Sequence, residues 1–130
     1  MMATFKSFEE IEAWQQAREL AKLVYAASGR GAFGRDFGLR DQVRRAAVSI
    51  MSNIAEGHGR GGSKEFIQFL SVARGSASEV NAQLYVALDQ GYVTEDGFGR
   101  LREQAVRTGS VISGLIRYLQ STKLQGSKFR

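Results

Sequence analysis

The stretch SKEFIQFLSVARGSASEVNAQLYVALDQG, residues 63–91, carries the clearest structural pattern in the sequence. Its apolar residues recur at alternating steps of four and three, and they are Phe66, Leu70, Ala73, Ala77, Val80, Leu84 and Ala87. This spacing predicts a helix over residues 63–90 that packs along its neighbours in a left-handed bundle. Ser63 is expected to cap the start of this helix, and Gly91 is expected to end it.

Helices are also predicted on both sides of this stretch. Residues 94–122, capped by Thr94, repeat the same rhythm in Phe98, Leu101, Ala105, Thr108, Ile112, Leu115 and Leu119. Residues 39–57 carry one apolar stripe, formed by Val43, Ala46, Ala47, Ile50 and Ile54. Val48 and Met51 form a second stripe on another side, so this helix is expected to contact more than one partner.

A first helix is predicted over residues 7–28, where Ser7 and Glu10 have the spacing of a capping box. A glycine-rich loop should follow it. Proline is absent, strand-like alternation is missing, and the connections between the long helices are short. Short connections force neighbouring helices to fold back on each other. The sequence therefore predicts an all-α, antiparallel up-down-up-down four-helix bundle, with residues 1–130 forming a single domain.

The residue types present argue against an enzyme. The chain has no cysteine and one histidine, His58, which is expected to be exposed in a loop. Thiolate chemistry is excluded, and a histidine-based metal site is not expected. We therefore predict no catalytic residue, no metal and no cofactor. The N-terminal residues lack a secretory pattern and no apolar run is long enough to span a bilayer, so a cytoplasmic location without membrane contact is expected.

A polar stripe runs along the predicted second helix. Arg45, Ser49, Asn53 and Glu56 follow one another at steps of four and three and therefore share one side of the helix. If this side points inward, its groups require partners, for which the next helix offers Ser76 and Glu79. We favour a structural network of these six residues that fixes helix register over an active site.

The net charge of +5 is unevenly distributed, and basic residues dominate the C-terminal quarter. A second concentration lies around the start of the second helix, and a third in the glycine-rich connection before residue 64. Such clusters are typical of phosphate binding, although a solvated surface gives the same composition. The predicted nucleic-acid contacts are Arg40, Arg44, Arg60, Lys64, Arg117, Lys123, Lys128 and Arg130. No aromatic platform for base stacking is evident, because Phe66 and Phe69 occupy core-like positions.

Three segments together resemble a known family. They are FKSFEEIEAWQQARELAKLVY (5–25), FGLRDQVRRAAVSIMSNIAEGHGRGGSKEFIQFLSVARGSASEV (37–80) and LDQGYV (88–93). They are similar to bacterial four-helix-bundle proteins known from intervening sequences within 23S ribosomal RNA genes. The most specific part is QVRRAAVSIMSNIAEG, followed by GR and EFIQFL. Unlike many members, this chain has no proline before the second helix or at Met51.

The resemblance implies a ring-like homopentamer of antiparallel four-helix bundles. Relatives include accessory proteins of diversity-generating retroelements, which are basic pentamers thought to bind nucleic acid and a reverse transcriptase. We therefore predict a non-enzymatic homo-oligomer that binds nucleic acid, with RNA preferred over DNA, or serves as an adaptor for a protein partner. The alternative is a self-assembling scaffold that binds a protein without nucleic acid.

Overall fold

The computed structural model describes the backbone of residues 5–128 and the side chains of residues 5–122, and this part of the chain is helical without a strand. A 3-10 turn, Phe8–Glu10, precedes five α-helices, which are α1 (Glu12–Ser28), α2 (Gly31–Arg35), α3 (Phe37–Gly59), α4 (Ser63–Asp89) and α5 (Glu95–Lys128). The long helices surround one core: α4 packs against α3 and α5, and α1 lies between α3 and α5. The predicted all-α class is confirmed.

The core is built from the apolar stripes that the sequence shows. Every apolar position that defines the α4 repeat is buried, and so is the first apolar stripe of α3. In α5 the repeat is buried at Leu101, Ala105, Thr108, Ile112 and Leu119. Burial of a leucine or isoleucine side chain contributes about 1.5–3 kcal/mol, so these shared positions are the main stabilising feature of the fold.

The end of α4 has the hydrogen bonds of a Schellman motif. Gly91 has φ +73°, its N–H donates to Leu88 O at 2.9 Å, and the Tyr92 N–H donates to Ala87 O at 2.9 Å. Glycine adopts this left-handed conformation without a steric penalty, which explains why the helix ends where the sequence predicted. At the other end Gly62 occupies the N-cap position, so Ser63 is the first helical residue.

The N-terminal segment differs from the single helix predicted over residues 7–28. Ile11 is extended, with φ −80° and ψ 122°, and it separates the 3-10 turn from α1. Ser7 makes no side-chain cap, whereas Glu10 Oε1 accepts a hydrogen bond from the Lys6 N–H at 3.1 Å. The capping-box prediction was therefore wrong. The break places Ile11, which is 1% exposed, in the core, and this burial explains the change of direction.

The connection from α1 to α3 is also more ordered than a loop. It contains α2, which buries Phe33 and stacks its ring on Tyr92 with centroids 5.5 Å apart. Asp36 then caps α3 by accepting the Leu39 N–H at 3.1 Å, so α3 begins at Phe37 rather than near residue 39. Helix α5 extends to Lys128, beyond the predicted end at residue 122.

Candidate nucleic-acid interface

Arg44 joins α1 to α3 and lies on an exposed aromatic ring. Its Nε donates to Ser28 Oγ at 2.7 Å, and one terminal nitrogen donates to Tyr25 O at 3.3 Å. The guanidinium carbon lies 4.4 Å from the centre of the Tyr25 ring. Two of its N–H groups are used in these bonds, and the others remain available to a phosphate because a guanidinium carries several donors.

Arg40 has a similar arrangement one turn earlier on α3. Its Nε donates to Asp41 Oδ1 at 2.9 Å, and one terminal nitrogen donates to Gly34 O at 3.1 Å. The guanidinium carbon lies 4.7 Å from the centre of the Phe37 ring. Phe37 is 62% exposed, which is unusual for a phenylalanine side chain.

Tyr25, Phe37, Arg40, Arg44 and Arg45 together form a surface that we call the basic face. A groove of about 530 Å³ on it is lined by Tyr25, Arg44, Arg45 and Asp41, and the Asp41 carboxylate pairs with Arg40 beside the groove. The three arginines of the basic face therefore outnumber the carboxylate that lines its groove. The sequence pointed to Arg40 and Arg44 but not to the aromatic rings. The available signal for Tyr25 was its place outside the apolar side of α1, which is formed by Ala17, Leu20, Ala21 and Val24.

Arg60 and Lys64 lie at the opposite end of α3. The Arg60 guanidinium pairs with Glu56 Oε2 at 3.1 Å and lies 5.1 Å from the centre of the Phe69 ring. Lys64 is exposed in the first turn of α4 and has no ion pair within residues 5–122. Arg44 and Arg60 are separated by 16 positions, or roughly 24 Å along the helix. The four predicted contacts of this region therefore form two separate groups.

The predicted C-terminal patch is described only in part. Arg117 is exposed on α5 and lines a groove between α4 and α5 that also contains Arg74. The side chains of Lys123 and Lys128, and Arg130 as a whole, lie outside the described residues. Arg74 was not singled out in the sequence, because its neighbour across the groove lies far away in the chain.

The predicted polar network is present in part. Ser49 Oγ and Ser76 Oγ are 3.1 Å apart, and Asn53 Nδ2 donates to Ser49 Oγ at 3.0 Å, so α3 and α4 share one small cluster. Arg45 and Glu79 are exposed, and neither has a hydrogen bond or ion pair to the described part of the chain. Glu56 is exposed as well and pairs with Arg60. The predicted internal role was therefore wrong for these three residues, whereas Ser49, Asn53 and Ser76 form a part-buried cluster between α3 and α4.

The described residues show neither a metal centre nor a membrane span. No group of three or more His, Asp or Glu side chains within them is placed to hold a metal ion. None of the described helices combines the length and apolar character required to cross a bilayer. His58, expected in an exposed loop, instead lies half-buried in the last turn of α3, where its Nε2 is 3.2 Å from Phe5 O.

Comparison with known proteins identifies a structural neighbour and a matching family. A crystal structure of a protein of unknown function from the S23 ribosomal protein family of Bacteroides thetaiotaomicron superposes with a TM-score of 0.74. The two chains are 20% identical, and the match covers 82% of this chain and 96% of the other, so they share a fold. No curated protein matches the sequence significantly. The model of the 23S rRNA-intervening sequence protein family matches residues 9–114, and the chain therefore belongs to that family.

Proposed function

We propose that this protein is a non-enzymatic, self-assembling module that binds nucleic acid, with RNA preferred, through its basic face. The observation that carries the proposal is the pairing of Arg40 with Phe37 and of Arg44 with Tyr25. A guanidinium supplies attraction to phosphate, and an exposed ring beside it supplies a surface on which a base can stack. The proposal includes a cytoplasmic location and no catalytic activity.

Single-stranded RNA is the expected ligand because its bases are free to stack on aromatic rings. In duplex DNA the bases are already stacked, so only the phosphate contacts would remain. The internal hydrogen bonds of Arg40 and Arg44 favour binding, since they hold both guanidinium groups in place before the ligand arrives. Arg60 and Lys64 would contact a strand that extends along α3.

The proposal extends to the topology and the assembly. Tyr85 contacts Phe98 and Arg74 contacts Ser113, so residue numbers rise along α4 as they fall along α5. This relationship supports an antiparallel, up-down arrangement. Val48 on α3 and Val72 on α4 are exposed, and such residues favour contact with a second copy. The family resemblance points to a homopentamer and to relatives among accessory proteins of diversity-generating retroelements.

A scaffold that binds a protein partner without nucleic acid is the second candidate. It is favoured by the exposed apolar side chains of α4, Val72 and Val86, which take no part in the basic face. In that case Arg40 and Arg44 would serve to join α1, α2 and α3, and the remaining positive charge would serve solubility.

The test is binding of labelled single-stranded RNA and duplex DNA at about 50 mM and about 200 mM salt. An Arg40→Gln/Arg45→Gln variant removes two charges from the basic face without disturbing the Arg44 contacts. An Arg102→Gln/Arg107→Gln variant removes the same charge from exposed positions on α5 and is the matched control. Circular dichroism and mass measurement in solution verify that each variant is folded and assembled.

We expect single-stranded RNA to bind more tightly than duplex DNA, and the affinity to fall steeply with salt. The Arg40→Gln/Arg45→Gln variant should lose roughly tenfold in affinity, and its salt slope should decrease by about two. The control should retain most of the binding. Absence of binding at low salt, or an equal loss in both variants, would overturn the basic face as the site and favour the scaffold.

A further inference from the structure

The groove between α4 and α5 has the charge and hydrogen-bonding groups of a binding site. Its volume is about 360 Å³, and its lining combines two arginines with serine, asparagine and small apolar residues. No carboxylate is among these lining residues. Because α1 lies between α3 and α5, and α4 contacts α3 and α5, this groove is on the side of the bundle opposite the basic face.

One end of the groove holds two guanidinium groups. Arg74 donates to Ser113 Oγ at 3.3 Å, which is a long hydrogen bond and leaves most of its donors unused. Arg117 lies one turn beyond Ser113 on α5 and has no ion pair or hydrogen bond to the described side chains. Two nearby arginines without a carboxylate repel each other, and an anion placed between them would relieve that repulsion.

The other end offers a hydrogen-bond acceptor. Asn81 Oδ1 is buried, and no donor within residues 5–122 reaches it. Nearly all buried polar atoms in folded proteins have a partner, because an unpartnered one carries the full cost of its desolvation. Asn81 lines the groove, and a rotation of its side chain that turned this oxygen outward would let an N–H group of a ligand satisfy it.

The walls between these ends fit a polypeptide better than a nucleic acid. The floor consists of small residues, Ala77, Ala105 and Gly109, which allow an extended chain to approach the helices. Val106, 44% exposed, adds an apolar contact. No aromatic ring is among the lining residues, so base stacking is not supported here. A polypeptide offers backbone N–H donors at regular intervals, whereas the donors of RNA are its 2′-hydroxyls and base edges.

We propose that this groove binds an acidic peptide segment of a partner protein. Carboxylates of the segment face Arg74 and Arg117, a backbone N–H donates to Asn81 Oδ1, and an apolar side chain contacts Val106. Arg74 and Asn81 are seven positions apart, or roughly 10 Å along α4, a distance that about three to four extended residues span. This inference names the partner class for the adaptor role in the proposed function and rests on that role, but not on nucleic-acid binding.

A peptide-display library of 12-residue random sequences is the probe. It is selected on the assembled full chain, and the enriched peptides are synthesised with a fluorescent label. Their affinities are measured for the unchanged protein, for Arg74→Gln/Arg117→Gln and for the charge-matched control Arg102→Gln/Arg107→Gln. Asn81→Leu tests the amide end without changing the charge, and labelled single-stranded RNA is measured in parallel on every variant. Circular dichroism verifies folding.

We expect the enriched peptides to share a cluster of Asp or Glu beside an apolar residue. Their affinity should fall roughly tenfold or more in Arg74→Gln/Arg117→Gln and less steeply in Asn81→Leu, while the control should bind them as before. RNA binding by Arg74→Gln/Arg117→Gln should match that of the charge-matched control Arg102→Gln/Arg107→Gln, and Asn81→Leu should leave it unchanged. Enrichment of peptides without acidic residues, no enrichment, or equal binding by the groove variant and the control would overturn the proposal. Loss of RNA binding in the groove variant would do so as well, since it would place nucleic acid in the groove. If none of the proteins binds RNA while peptide binding is intact, only the proposed RNA site on the basic face is overturned.

Discussion

The Tyr92 hydroxyl donates a hydrogen bond to Asp36 Oδ2 at 2.9 Å, joining the last residue of the α4 C-terminal motif to the residue that caps α3. Asp36 uses its other carboxylate oxygen, Oδ1, to accept the Leu39 N–H. The Tyr92 ring also stacks on the buried Phe33 of α2. One carboxylate therefore connects α3 to the end of α4, and we expect it to be a stability determinant of this end of the bundle.

The hydrogen bond between Tyr92 and Asp36 makes the free energy of unfolding depend on pH in the alkaline range. The hydrogen bond to Asp36 raises the pKa of Tyr92 above its ordinary value of 10.0, with smaller contributions from burial and from the Asp36 charge. The neutral Tyr92 hydroxyl is thus favoured in the folded protein. Its contribution to stability is fully present below pH 10 and is lost as the pH rises through the raised pKa. In urea unfolding, Tyr92→Phe should be less stable than the unchanged protein at about pH 8, and the difference should shrink above about pH 10. A difference that stays constant across this range would contradict the assigned hydrogen bond.

Removing the carboxylate should destabilise the protein more than removing its exposed neighbour. Asp36→Ala loses the cap of α3, which by itself is worth about 0.5–2 kcal/mol, and also the Tyr92 bond. Asp41→Ala is the matched control, because Asp41 is 53% exposed and pairs with Arg40 on the surface. It should cost less than about 1 kcal/mol. The free energy of unfolding in urea measures both. Equal losses would show that Asp36 acts only as a surface charge.

Gly57 of α3 packs closely against two phenylalanines of α4. A Cβ atom at this position would lie 2.6 Å from the Phe69 Cβ and 3.0 Å from the Phe66 Cδ1. Glycine to alanine within a helix normally stabilises by about 0.5–1 kcal/mol, but here overpacking should reverse the sign and destabilise by about 1–3 kcal/mol. Gly75→Ala, in the interior of α4 with nothing within 4 Å, is the control and should stabilise the fold. Thermal unfolding of the two variants gives the comparison. Stabilisation by Gly57→Ala would mean that α3 and α4 move apart readily.

The contrast between α4 and the N-terminal segment explains how much of this fold is predictable. The α4 repeat was sufficient to predict this helix. Its heptad-like spacing alone assigns the apolar positions to the core, whichever helix packs against them. The break at Ile11 and the helix around Phe33 depend on contacts with residues far away in the chain, such as Tyr92. Local patterns favour a continuous helix and a glycine-rich loop there, and tertiary burial overrides both.

The candidate site was likewise predictable only in part. Arg40 and Arg44 were predicted because a cluster of basic residues is visible in the sequence. Their aromatic partners were not, since the pairing of Arg44 with Tyr25 depends on how α1 lies against α3. Arg45 was assigned inward from its spacing with Ser49, and a stripe of polar residues alone does not show which way it faces.

The Ser49–Ser76 contact should behave as a coupled pair. The two hydroxyls are 3.1 Å apart and part-buried, and Ser76 is 8% exposed, so they compete little with water. A double-mutant cycle with Ser49→Ala and Ser76→Ala should give a coupling of about 0.5–1.5 kcal/mol. The exposed pair of Glu56 and Arg60, measured through Glu56→Gln and Arg60→Gln, should give about 0.3–0.5 kcal/mol and lose it at high salt. Additive effects of the two serine substitutions would show that the cluster does not link α3 to α4.

Phe37 should distinguish base stacking from simple charge attraction. Its ring is 62% exposed and contributes little to the core, so Phe37→Ala should leave the fold intact. We expect the variant to bind single-stranded RNA with a loss of at least about 1 kcal/mol, roughly fivefold, and to bind duplex DNA nearly as before. Its salt slope should not change, because Arg40 and Arg44 remain. Tyr85→Ala, which removes a 45% exposed ring from α4, outside the basic face, is the control and should leave both affinities unchanged. If Phe37→Ala instead weakens RNA and duplex DNA alike, the ring only orients Arg40, and recognition is by phosphate contacts alone.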